Sequence, residues 1–126
     1  MADFLGFLTT FLLLVLIINV IIRKMVRKYK FKLNPLLSIN SKISKYHKLL
    51  ALAVLILGTV HGYLIVGLRL VPHTGSILLL SVLIMFLLFI SGKYGHYKSW
   101  FIKHKIFYYV VLVALFLHIF FKNIIS

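Results

Sequence analysis

Four long apolar runs, set apart by short basic segments, restrict this chain more than any other feature. They cover about Phe4–Ile22, Leu49–Leu68, Ser76–Ser91 and Trp100–Phe121. A bilayer core of about 30 Å takes roughly 20 apolar residues as a helix, so four spans use about 80. The chain has 126 residues, of which 63% are hydrophobic and 13% charged, a balance suited to lipid rather than water. In lipid the backbone must satisfy its own hydrogen bonds, so each run is expected as a helix. The expected fold is all-α: one domain, 1–126, forming a four-helix transmembrane bundle with spans at about 4–22, 47–68, 76–91 and 100–121. The rest is expected to make short loops and no extramembrane domain. The expected location is multi-pass in a bacterial cytoplasmic membrane.

The first run has the length of a secretory signal peptide. It lacks a positive segment ahead of it, carries its charges behind it, and shows no small-residue cleavage site. An uncleaved signal-anchor is the expectation.

The net charge of +14 suggests nucleic acid at first. Nucleic-acid binding needs a water-exposed basic surface, however, and these charges lie between apolar runs, so no nucleic-acid partner is expected. Arg23 to Lys48 carries nine Lys and Arg, and Lys93, Lys98, Lys103 and Lys105 add four. The opposite side has Arg69, Lys122 and the acidic Asp3. Thirteen basic residues against two is a positive-inside pattern. Both termini are therefore expected outside, with spans two and four parallel and running outward. The stretch Arg23–Lys32 mixes bases with aromatics and is expected to lie on anionic membrane lipid.

The absence of cysteine removes disulfides, thiolate-bound zinc, iron–sulfur clusters and c-type haem attachment. A metal cofactor would have to rely on histidine, since Asp3 is the one carboxylate side chain. Two histidine pairs repeat a spacing: His47 and His61 are fourteen residues apart, and so are His104 and His118. Chance would supply roughly 0.2 such pairs in a chain of this kind. Fourteen residues are close to four helical turns, so both members of a pair share a face, about 21 Å apart along the axis. The pairs lie on the two parallel spans. His47 is thus expected to face His104 at an inner level, and His61 to face His118 at an outer one. Two neutral imidazoles from opposite sides suit the axial positions of an iron porphyrin; tetrahedral zinc would need further ligands. Two haem b groups are the expected cofactors, held between helices two and four.

The faces between the ligands pass Ala51, Val54 and Gly58 on span two, and Phe107, Tyr108, Val111 and Ala114 on span four. The small residues leave room for a flat ring. Arg69 is expected to neutralise haem propionates at the outer end. Lys45, Lys48, Lys103 and Lys105 are placed to do so at the inner end. His73 and His96 fall in turns beside glycine and are expected as solvated turn residues. One tension stands: the apolar part of span two centres near Gly58 but its histidines centre near Val54, a mismatch of about 6 Å.

The motifs His47-x13-His61 and His104-x13-His118 resemble the transmembrane core of the ferric reductase and NADPH oxidase superfamily. In that family two parallel helices each carry two haem ligands, the first of each pair on the cytoplasmic side. The resemblance covers the whole chain in outline, with specific motifs on those two helices alone. It implies electron transfer from a cytoplasmic-side donor, an electron-donor protein or a quinol, through the inner and outer haems to an external acceptor. The chain departs from the family in having four spans where six are usual, and in showing no flavin- or nicotinamide-binding region. It is thus expected as the membrane subunit of a reductase-like system. Respiratory cytochrome b also carries paired histidines on its second and fourth helices, but there the helices run in the opposite sense. Two readings compete: a haem carrier or sensor, and a haem-free transporter or holin-like pore. A pore should show a polar helix face, and only Asn19 and scattered hydroxyls are on offer.

Overall fold

The computed structural model describes residues 1–29, 34–67, 73–96 and 98–121. It is all-helical there, with α1 at Ala2–Tyr29, α2 at Asn34–Val66, α3 at Thr74–Tyr94 and α4 at Trp100–Phe120. Each of the four is long and apolar enough to cross a membrane. Arg69 and Lys122, singled out in the sequence, lie outside the described residues.

The helices form two antiparallel hairpins. In the first, the start of α1 meets the far end of α2, where His61 Nδ1 bonds the Ala2 carbonyl at 2.9 Å. The far part of α1 meets the start of α2, where Asn19 Nδ2 donates to Ser44 Oγ. In the second, Thr74 at the start of α3 reaches His118 near the end of α4. The hairpins join along α2 and α3, where a Cβ on Gly58 would touch Leu79 at 3.4 Å and Lys48 Nζ sits 5.2 Å above the Phe89 ring. This connectivity makes α2 and α4 parallel. It also gathers the basic residues at one end of the bundle, from Arg23, Lys42 and Lys48 to Lys93 and Lys103.

The turns follow local backbone chemistry. Gly67 ends α2 at φ +68, a left-handed position that costs an L side chain about 1–2 kcal/mol, and its N–H donates to the Tyr63 carbonyl at 2.8 Å. His73 caps α3, its Nδ1 accepting from the Gly75 N–H at 3.1 Å. Gly92 lets the Trp100 indole lie directly on α3, since a Cβ there would overlap the ring. His96 takes φ 55 in the turn after α3 and is exposed, in keeping with the turn role read from the sequence.

The core is one apolar cluster fed by all four helices: Leu13, Leu16 and Ile17 from α1, Val54 and Leu55 from α2, Val82 from α3, and Val111 and Leu115 from α4. Most other large apolar side chains face outward, as lipid-facing helices require. Helix lengths differ in a useful way. The 21 residues each of α3 and α4 span about 31 Å, matching a bilayer core. The 33 residues of α2 reach about 50 Å.

Candidate functional site

On α4 the positions turned away from solvent form one stripe, and on α2 a matching stripe lies within a broader half-buried face that also takes in Ala53 and Leu57. Along α2 the stripe runs His47, Leu50, Ala51, Val54, Leu55, Gly58 and His61; along α4 it runs His104, Phe107, Tyr108, Val111, Ala114, Leu115 and His118. Steps of three and four keep each set on one face. At the middle of each stripe stands a valine, Val54 or Val111, each only 3% exposed. Each valine is seven residues, about two turns, from both histidines of its helix. The four histidines therefore mark the two ends of the inward faces of α2 and α4. Their neighbours Lys48, Leu49, Lys103 and Lys105 are exposed, while all four histidines are half-buried.

The hydrogen bonds of the rings follow a pattern. His61 Nδ1 lies 2.9 Å from the Ala2 carbonyl, and His104 Nδ1 lies 3.2 Å from the Met85 carbonyl. A carbonyl can only accept, so in a neutral imidazole Nδ1 carries the hydrogen and the Nε2 lone pair remains for a metal. His118 also uses Nδ1, at 3.1 Å from Thr74 Oγ1. Metal-binding histidines commonly anchor their second nitrogen in this way, which fixes ring orientation and raises basicity.

His47 and His104 stand at the same end of the parallel helices α2 and α4, each seven residues before the buried valine of its helix. Trp100 flanks this level, its ring centroid 6.2 Å from that of His104. His61 and His118 stand fourteen residues further along their parallel helices, each set against a neighbouring helix. His61 lies on Gly6 of α1, where a Cβ would come within 2.6 Å of its Cε1. His118 lies against Gly75, where a Cβ would come within 3.1 Å of its Cε1.

His73 departs from the solvated turn residue read from the sequence. Besides capping α3, its ring stands edge-on to His118 with centroids 6.0 Å apart. Its Nδ1 accepts from Gly75, so the neutral ring carries its hydrogen on Nε2. Sequence spacing could not reveal this, because His73 and His118 meet only through the α3–α4 pairing. Arg69, expected at the same end, lies outside the described residues.

The mismatch between the apolar centre of span two and its histidines falls at the end opposite the basic one, where α2 runs further past its second histidine than α4 does. Beyond His61 α2 continues five residues to Val66, and beyond His118 α4 continues two to Phe120. A separate, polar extension of α2 lies before His47, where the helix starts at Asn34, while α4 starts only four residues before His104.

Among the described residues no three or more metal-ligating side chains converge. Four of the histidines lie on the inward stripes of α2 and α4, two on each, and imidazole nitrogen is a donor that haem iron accepts. The four histidines match the number of ligands that two haems need, and His61 and His104 hold the tautomer that leaves Nε2 for iron. No protein-family model, curated protein or solved structure matches this chain.

Proposed function

We propose that this protein carries electrons across a membrane through two bis-histidine b-type haems, as the membrane subunit of a ferric-reductase-like system. The observation that carries the proposal is the pair of inward stripes, each ending on histidines, with Nδ1 of His61 and His104 held by backbone carbonyls. His47 and His104 would hold the inner haem, and His61 and His118 the outer one. When bound, haem supplies an iron that alternates between ferric and ferrous, at a potential set by its ligands and surroundings. With one imidazole from each helix bound to it, the iron would have no site left for oxygen, which would favour outer-sphere transfer. The Ala2 and Met85 carbonyls keep the rings of His61 and His104 in the tautomer a metal needs. The apolar side chains around Val54 and Val111 exclude water between the two levels. In this reading the basic end faces the cytoplasm and receives electrons from a donor there, and the opposite end passes them to an external acceptor. Arg69 is proposed to neutralise propionates at that outer end.

The purified protein, made with ample haem, should show a b-type reduced-minus-oxidised spectrum and two haems per chain. His61→Ala and His104→Ala should each leave one haem. Absence of any b-type signal, or retention of both haems in either variant, overturns the assignment. Haem that is reduced rapidly yet passes no electron to external acceptors would point instead to a carrier or sensor.

A further inference from the structure

The most buried side chain among the described residues is polar. Asn19 of α1 is 2% exposed. Its Nδ2 reaches Ser44 Oγ at 3.5 Å, and its Oδ1 is enclosed with no hydrogen-bond partner. Asn40 of α2 has a second enclosed and unpartnered Oδ1. Ser44 donates its hydroxyl hydrogen to the Asn40 carbonyl at 2.7 Å and accepts from the Arg23 guanidinium. Arg23 is exposed and covers this cluster from outside. Ser44 precedes His47 by three residues, about one turn, and so shares its face. Two buried carbonyl oxygens and a guanidinium with spare donors therefore border the inner histidine level.

Unpaired amide oxygens are costly at membrane depth, and their chemistry restricts what could satisfy them. A cation would suit the two carbonyl oxygens but is repelled by Arg23. A phosphate alone would suit Arg23 but brings only acceptors to oxygens that need donors. The fitting ligand is lipid-soluble and offers both hydroxyl hydrogens and an oxygen acceptor. A hydroquinone head group meets both requirements. We propose that Asn19, Asn40, Ser44 and Arg23 bind the head group of a membrane quinol, with the asparagine Oδ1 atoms accepting from its hydroxyls and Arg23 donating to a ring oxygen. The choice of a quinol as occupant rests on the electron-transfer reading above, but its binding does not require haem.

The test is equilibrium binding of short-chain benzoquinol and naphthoquinol, kept anaerobic, to the full-length protein in nanodiscs, both haem-free and haem-loaded. The native chain should bind one of them saturably. Asn19→Leu and Ser44→Ala should each weaken binding about tenfold, the loss expected for one buried hydrogen bond. Lys28→Gln, at the same end, should leave it unchanged. Ser44→Ala serves if Asn19→Leu does not fold. Equal affinity in the cluster variants and the native chain overturns the proposal. So does equal binding of a long-chain alcohol, or no quinol binding beside a more heat-stable Asn19→Leu, which would mark a water-filled polar contact. Quinol binding without any b-type spectrum on haem addition would sink the haem reading and leave this site standing. Two haems without quinol binding would do the reverse.

Discussion

Gly6 has little freedom to become anything larger. A Cβ at this position would lie 2.6 Å from His61 Cε1 and 3.0 Å from Nε2, so even alanine would press on the imidazole. Gly6→Leu should displace the ring from the Ala2 carbonyl and weaken haem binding at the His61 level about tenfold, the scale seen when a ligand's supporting contact is lost. Gly62→Ala is the matched control, since a Cβ there meets nothing within 4 Å. Haem-to-protein titration of both variants reads the difference. Two haems held at native affinity in Gly6→Leu would mean that His61 is not a ligand. The histidine spacing was legible because a helix converts residue number into face and height. The partner atoms were not: Ala2, Gly6, Met85 and Thr74 come from helices whose pairing no spacing within α2 or α4 encodes.

At the scale of helices, the Trp100 indole braces the α3–α4 hairpin at the basic end, beside the hydrogen bond from His104 to the Met85 carbonyl. Trp100 lies over Gly92, meets Phe89 edge-on at 6.1 Å, and stands 6.2 Å from His104. Gly92→Ala should push the indole off α3, at a cost of about 1–3 kcal/mol as an overpacked contact. Thermal unfolding in detergent measures that cost. On the proposed dihaem reading, haem at the level of His104 should change its spectrum or occupancy before haem at the level of His61 does. The four apolar runs announced the four helices, because a membrane solvent leaves the backbone no other choice. Helix ends were less legible. The apolar run of span two begins near Leu49, yet α2 starts at Asn34 and carries Lys42 and Lys45 on exposed positions. Hydropathy reports where lipid begins, whereas a helix continues into water as long as its own bonds and its packing on α1 sustain it.

At the scale of the whole molecule, the antiparallel hairpins place all described basic residues from Arg23 to Lys48 and from Lys93 to Lys105 at one end, with Asp3 at the other. Orientation in the membrane then depends on which side holds that end. The sequence count of thirteen basic residues against two makes the cytoplasm the expected side. Carrying several lysines across would oppose both the membrane potential and their attraction to anionic lipid, which is worth about 1 kcal/mol per residue near the surface. A chain without cysteine allows a direct measurement. Asp3→Cys should react with an impermeant maleimide added to intact cells, whereas Lys42→Cys should react only after the membrane is opened. Both positions lie away from the buried stripes, so neither substitution should disturb the core. The reverse labelling pattern would leave the histidine pairs as they are but exchange inner for outer. The proposed quinol cluster would then lie on the external side, and electron flow would have to be assigned in the opposite direction.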